Sequence, residues 1–242
     1  MNREGVTQWE ITAVRRAGRY HEERGEVCQD SIAYARGNGN TAIVLADGAG
    51  SCSRAEDGAR IAAEVTAQSL VQVAEELETM EDADVRYHVL MTVRMALDKY
   101  CWAEDVYLKD VGSTLLAAVA TASKILIIHL GDGWIAQTDE KQKHSILSLP
   151  ENGRRRNQTY LTSMIPVMEH VRVTRVPLEQ VQAVTLFSDG WENASVRYDW
   201  EEIETALQTG EVKIPHTDDV SVIRMARKKS NEKKFPQNFD VS

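Results

Sequence analysis

Apolar positions along the chain recur with two spacings, and each predicts a different kind of element. Trp9 to Val14 alternates apolar with polar residues and predicts a strand. Arg15 to Val27 is polar and carries Gly18 and Gly25, which predicts a loop or an extended hairpin arm. Ser31 to Tyr34 predicts a short strand, and Gly37-Asn38-Gly39-Asn40 is a strong turn signal. Ala42 to Ala46 is apolar without interruption and stops at Asp47-Gly48, the pattern of a buried strand ended by a turn. The strands from Trp9 to Ala46 are expected to pair antiparallel with one another.

The spacing then changes to that of helices. Ser53 and Glu56 stand three residues apart, as in a capping box, and open a helix predicted to run to about Glu78. Ile61, Ala62, Val65, Leu70, Val73, Ala74 and Leu77 mark its apolar side, and Gly58 in its first turns is expected to allow close packing on the sheet. After an acidic link, Val85, Val89, Val93 and Leu97 step by four and mark the buried face of a second helix. So short a connection makes the two helices antiparallel neighbours. Strand-length runs return at Leu115 to Ala120 and Ile125 to Leu130, with a tight turn between them, followed by Trp134 to Gln137. This favours an antiparallel meander over a parallel β-α-β sheet. Thr138 to Met168 is polar and irregular. Val171 to Val176, Val184 to Asp189 and Val220 to Met225 read as strands, and Trp200 to Leu207 as a short helix. Two blocks of strands with a helix pair between them predict an α+β fold, a four-layer sandwich of two antiparallel sheets flanked by helices. A single domain is expected over residues 1–226, with a polar, Lys-rich tail over 227–242.

Composition narrows the class. A chain of 242 residues is long enough for one domain with a substantial core. Its net charge of −9 argues against nucleic acid as a partner and suits cation binding. Cys28, Cys52 and Cys101 show no close pair, which disfavours structural zinc and a disulfide framework and fits a reducing compartment. Met1 to Glu4 opens no apolar leader, and no run reaches the roughly 20 apolar residues of a membrane span. A cytoplasmic protein without a membrane partner is expected.

The chemistry is concentrated in acids at strand ends. Asp47 closes one apolar run, Asp132 follows another in Leu130-Gly131-Asp132-Gly133, Asp189 ends a third in Phe187-Ser188-Asp189-Gly190, and Asp218-Asp219 precedes the last. Such hard oxygen donors, without Cys or regularly spaced His beside them, suit Mg²⁺ or Mn²⁺. Carboxylates gathered in one site repel each other unless cations neutralise them. Two such cations about 3.5–4 Å apart activate a shared water and stabilise an in-line displacement. No nucleophile elbow, phosphate-binding Walker loop or dinucleotide fingerprint is present.

In this respect the sequence resembles the metal-dependent protein phosphatases of type 2C, and their bacterial branch most. The resemblance rests on Cys28-Gln29-Asp30-Ser31, Ala46-Asp47-Gly48-Ala49-Gly50, Gly112-Ser113-Thr114 with Leu130-Gly131-Asp132-Gly133, Phe187-Ser188-Asp189-Gly190, and Asp218-Asp219-Val220-Ser221-Val222-Ile223. These blocks follow the family's order from about Val14 to Met225. The resemblance implies a phosphoserine/phosphothreonine protein phosphatase with two Mn²⁺ or Mg²⁺ ions and room for a third. It implies that Asp47 bridges two metals, that the Gly48 carbonyl ligates one, and that Asp189 and Asp218 hold the other. Asp30 would stand near the second metal through water, and Asp132 with Asp189 would hold the third. Water would attack phosphorus directly. The implied partners are a phosphorylated protein substrate and a cognate Ser/Thr kinase.

The sequence also departs from the family. Ala49 follows Asp47-Gly48, and no His matches the one that many animal relatives carry after this motif as general acid. Metal-bound water and His21 are the two candidate proton donors. The phosphate-binding Arg falls on Gly25, with Arg24 beside it as the substitute. Arg154 to Arg156 stand as a substrate-facing flap or an exposed basic loop. Cys28 and Cys52 are expected to be packing residues. Two other functions remain open: a regulatory or binding module on the same fold, and a small-molecule phosphomonoesterase.

Overall fold

The computed structural model describes residues 8–153, 158–192 and 198–228. Ten strands form two five-stranded sheets in which every pairing is antiparallel. The first sheet has the order β1 (Trp9–Arg16), β10 (Val220–Arg227), β9 (Ala183–Phe187), β6 (Trp134–Thr138), β7 (His144–Ser148). The second runs β2 (Ser31–Gly37), β3 (Asn40–Ala46), β4 (Leu115–Ala120), β5 (Lys124–Leu130), β8 (Arg172–Pro177). A four-residue helix, α1 (Arg19–Glu22), lies between β1 and β2, and α2 (Ala55–Leu77), α3 (Asp82–Glu104) and α4 (Trp200–Thr209) are the other α-helices among the described residues.

The four layers follow from which faces are apolar. β3 is buried along its whole length because both its faces are covered. Ile43 and Leu45 point into the core between the sheets, with Leu116, Ile125, Ile127, Ile135, Leu186, Ile223 and Met225. Ala42, Val44 and Ala46 point the other way, against Ala59, Ala63, Leu70 and Ala74 of α2. A strand with two buried faces loses its alternation, which is why this run reads as continuous. On the far side α4 sets Ile203, Ala206 and Leu207 against Val14, Trp134, Phe187 and Val222. The expected α+β sandwich is therefore the observed fold.

Several expectations need correction. β1 does not pair with the strands that follow it; it pairs with β10, Trp9 opposite Arg227 and Arg16 opposite Val220. The polar stretch after β1 carries the chain to the other sheet and contains α1. The β2–β3 hairpin does form, with positive φ at both Asn38 and Gly39 as a tight hairpin turn requires. β4 and β5 pair as expected, but β6 crosses to the first sheet between β9 and β7. β7 lies inside the stretch that reads as irregular, since Ile146 and Leu147 are adjacent apolar residues between serines and show no alternation. The Ser53–Glu56 capping box does not form: α2 begins at Ala55, with Arg54 at its N-cap and no side-chain cap. The Arg54 amide is committed to the Asp110 carbonyl at 2.8 Å, and that contact sets the approach to the helix. Ala62, Leu70, Ala74 and Leu77 of the expected apolar side are buried, but Ile61, Val65 and Val73 are only half-buried, and Ala59, Ala63 and Ala67 join the buried face instead. Gly58 allows a close approach, but to the turn at Leu108–Val111: a Cβ there would stand 2.1 Å from the Val111 carbonyl oxygen.

Arg154 to Arg156, Met1 to Glu4 and residues 229–242 of the expected tail lie outside the described residues. No helix among the described residues is long and apolar enough to cross a membrane.

Candidate metal centre

The acids meet because strand ends from both sheets open on one end of the sandwich. Asp47 follows β3, and the structure pins it twice to the segment before β4. Its amide donates to Thr114 Oγ1 at 2.9 Å, and its carbonyl accepts from the Thr114 amide at 2.8 Å. Gly48 beside it has no room for a side chain, since a Cβ would lie 2.7 Å from the carbonyl oxygens of both Gln29 and Ala55. Asp132 follows β5 between Gly131 and Gly133, Asp189 follows β9, and Asp218 precedes β10. Asp47, Gly48, Asp132, Asp189, Asp218 and His21 all line one cavity of about 1110 Å³. Asp30, just before β2, is fully buried and does not line it.

Electrostatics ties the acids together. Burial, then the charges of Asp30, Asp189, Asp132 and Asp218, pushes Asp47 well above the usual carboxylate range. Burial pushes Asp189 up to about 8, with Asp132 and Asp218 adding to the rise. Asp30 is pushed up to about 7, again mainly by burial; the hydroxyls of Ser221 and Ser188 stand near enough to offset part of the rise but not in hydrogen-bonding geometry, and Asp219 and Asp218 add to it. Asp132 is raised by burial as well. Each of these groups resists ionisation unless positive charge joins it.

Asp219 is a different kind of acid from its neighbour, and the sequence does not separate the two. Its carboxylate is buried and accepts from the Gly18 amide at 2.8 Å, the Gln29 amide at 2.6 Å and His21 Nδ1 at 2.8 Å. It thus fastens the connection between β1 and β2, and with it Asp30, to the start of β10. Asp218 is exposed toward the cavity and receives only the amide of Asp219, at 2.9 Å. His21 is buried and held by Asp219 at the cavity wall. Arg24 turns away: its guanidinium stacks 3.5 Å over the Tyr20 ring and donates to the Tyr20 carbonyl at 2.7 Å. Arg24 is not among the residues lining the cavity.

Sequence patterns did not single out another part of the cavity lining. Tyr160 and His170 stack there with ring centroids 3.4 Å apart, and His170 Nδ1 meets Glu151 at 2.8 Å. Residues 158–170 carry no strand or helix periodicity that would have marked them. Cys28 and Cys52 are buried free thiols, and Cys52 donates to the Lys109 carbonyl, so both serve packing.

The residues present suit a hard divalent cation. The cavity acids offer oxygen only, and both carboxylate oxygens of Asp30 are buried without a hydrogen-bond partner. An orphaned buried carboxylate is costly and calls for a charged or hydrogen-bonding neighbour. Among the described residues, no three His, Cys, Asp or Glu side chains are drawn together into one ligand shell. The fit therefore rests on donor chemistry and on the orphaned oxygens of Asp30.

Acid-bearing strand ends thus line one cavity of a two-sheet α+β sandwich. The sequence matches the family Protein phosphatase 2C over residues 17–233, and the chain belongs to that family. It is accordingly a protein-serine/threonine phosphatase of a metal-dependent kind. Solved structures agree in fold. The Ser/Thr phosphatase Stp1 from Staphylococcus aureus superposes with a TM-score of 0.64 at 13% identity, covering 92% of this chain and 96% of that one. The S. agalactiae Ser/Thr phosphatase superposes at 0.62 with 17% identity, covering 91% and 100%. RsbX, solved in complex with magnesium, superposes at 0.54 with 13% identity, covering 91% and 96%. No curated protein matches the sequence significantly.

Proposed function

We propose that the chain hydrolyses phosphoserine and phosphothreonine in proteins by direct attack of water, with two Mg²⁺ or Mn²⁺ ions held by Asp47, the Gly48 carbonyl, Asp189 and Asp218. The observation that carries this reading is the cavity itself, where acids from both sheets converge with Asp30 orphaned behind them. Asp30 would support the second ion, and Asp132 with Asp189 would hold a third. When bound, the cations supply an activated water and offset the charge of the phosphate. The magnesium of RsbX and the phosphatase names of the bacterial neighbours support the same reading.

The chain's own groups do the remaining work. The Asp219 carboxylate accepts a hydrogen bond from His21 Nδ1–H, which fixes the ring; a ring that also carries a proton on Nε2, which stands 3.8 Å from Glu26 Oε2, would give that proton to the departing seryl or threonyl oxygen. An alkoxide is a poor leaving group, so a donor at this place speeds the step. The Tyr160–His170 stack offers a flat wall for the peptide around the phosphorylated residue. Phosphoproteins and their cognate Ser/Thr kinase are the partners of this reading, in the cytoplasm and without nucleic acid or membrane.

The test is hydrolysis of a phosphothreonine peptide by the full chain, with Mn²⁺ and after chelation by EDTA. Turnover that disappears with EDTA and returns with Mn²⁺ is expected. A folded chain that binds Mn²⁺ but leaves the peptide intact would move the assignment to a regulatory module. Turnover of small phosphomonoesters alone would move it to a small-molecule phosphomonoesterase.

A further inference from the structure

Two loops carry Asp189 and Asp218, and a side-chain pair outside the cavity joins them. His216 Nδ1 stands 2.8 Å from the carbonyl oxygen of Gly190, the residue after Asp189. His216 Nε2 stands 2.9 Å from Glu202 Oε1 on α4. Both side chains are about nine-tenths buried, with 9% and 11% exposed, and neither residue lines the cavity. Each ring nitrogen faces an oxygen of another element, so the ring bridges the Gly190 carbonyl and Glu202. Trp191 packs edge-on against the ring at 5.2 Å and donates its indole N–H to the Ser221 carbonyl at 3.0 Å. The backbone of the same loop also holds α1, since the carbonyls of His216 and Thr217 accept from the amides of Arg19 and Tyr20 at 3.0 and 3.1 Å.

We propose that the Glu202–His216 pair is a positioning clasp that sets the spacing of Asp189 and Asp218 and thereby the affinity of the site for divalent cation. The inference rests on the cation reading given above. Its physical basis is where the β-ladder stops. β9 and β10 are paired from Ala183–Ala226 to Phe187–Val222; the Ser188 hydroxyl then accepts from the Ser221 amide at 3.0 Å and reaches the Asp219 carbonyl at 3.5 Å, and the last backbone bond joins the Ser188 amide to the Ser221 carbonyl. Beyond that bond the two chains diverge into the ligand loops. There Gly190 meets the carbonyl of Asp219 so closely that a Cβ would lie 1.9 Å from it. This contact keeps the loops from moving closer, and the hydrogen bond from His216 to Gly190 keeps them from moving apart. Glu202 fixes the ring that makes that bond. α4 therefore reaches the metal ligands through one carboxylate, without touching the cavity.

Groups that orient ligands from behind typically change metal affinity by about 10–100-fold when removed. The experiment is calorimetric titration of Mn²⁺ into the full chain for wild type, Glu202→Ala, Glu202→Gln, His216→Ala and the Glu202/His216 double alanine variant, with metal-free melting followed alongside. Glu202→Ala and His216→Ala are expected to weaken Mn²⁺ binding about 10-fold or more. The double variant is expected to lose no more than the worse single, because the pair acts as one unit. Glu202→Gln, which keeps an acceptor oxygen, is expected to recover most of the affinity. Metal-free melting of Glu202→Ala is expected to fall, because His216 is left buried without its partner, whereas Glu202→Gln is expected to keep both the melting temperature and the Mn²⁺ affinity close to wild type. Wild-type affinity in a folded Glu202→Ala chain would overturn the clasp while leaving the cation reading in place. A folded wild type that binds no Mn²⁺ would overturn both.

Discussion

Removing metal should invert the pH dependence of stability that most proteins show. Asp30 and Asp189 are pushed up to about 7 and about 8, and Asp47 and Asp132 are also raised, all chiefly by burial. A carboxylate with a raised folded pKa is protonated in the native state and ionised in the unfolded chain at intermediate pH. Its contribution to stability is complete below about pH 4 and is lost as pH rises through its folded value. His129 opposes this. It is fully buried, and its pKa is pushed well below the usual value by burial, so its contribution is lost as pH falls below about 6.5. Between pH 5 and 6.5 the acid protons of Asp30 and Asp189, joined by the raised Asp47 and Asp132, outnumber those of two imidazoles, since burial lowers His144 as well as His129. Each unopposed proton changes stability by about 1.4 kcal/mol per pH unit, so the slope is about 1–2 kcal/mol per unit. Above pH 6.5 His129 no longer opposes the fall, which continues to about pH 8 as the acids ionise. Urea unfolding of the chelated chain at pH 5.5, 6.5 and 7.5 should show midpoints falling at each step. Saturating Mn²⁺ should remove most of the fall, because bound carboxylates are ionised in the folded state too. A chelated chain whose stability is flat or rises from pH 5.5 to 7.5 would refute the argument that these acids are buried together.

Two further substitutions probe separate links. Gly58→Ala adds about 1 kcal/mol of helix propensity, but its methyl meets the Val111 backbone, which cannot rotate away. A net loss of about 2 kcal/mol and a melting temperature lower by about 4–8 °C are expected, and a stabilised variant would refute the close approach. His21→Gln should slow phosphopeptide hydrolysis about 100-fold but leave an aryl phosphate, whose leaving group needs no acid, nearly unaffected. Equal effects on the two substrates would remove His21 as proton donor.

Much of the molecule was legible in its residues. The β3 run, the four-residue stepping of Val85, Val89, Val93 and Leu97, and the Asn38-Gly39 turn each follow from local periodicity or backbone preference, and each is found in place. The acids at strand ends were legible as well, because a carboxylate closing an apolar run is a local feature. Pairing is not local. β1 joins β10 across more than 200 residues, and nothing in either segment names its partner, since any alternating strand offers the same hydrogen bonds. The Asp218-Asp219 doublet shows the same limit at the site. Two identical side chains in sequence become a cavity-facing acid and a structural knot only because Gly18, Gln29 and His21 arrive from elsewhere in the chain. Local chemistry determined which residues can bind a cation and which segments are strand or helix. Tertiary structure decided which acids face the cavity, which are spent on backbone amides, and that α4 reaches them through His216, because burial and long-range hydrogen bonds exist only after the sheets have closed.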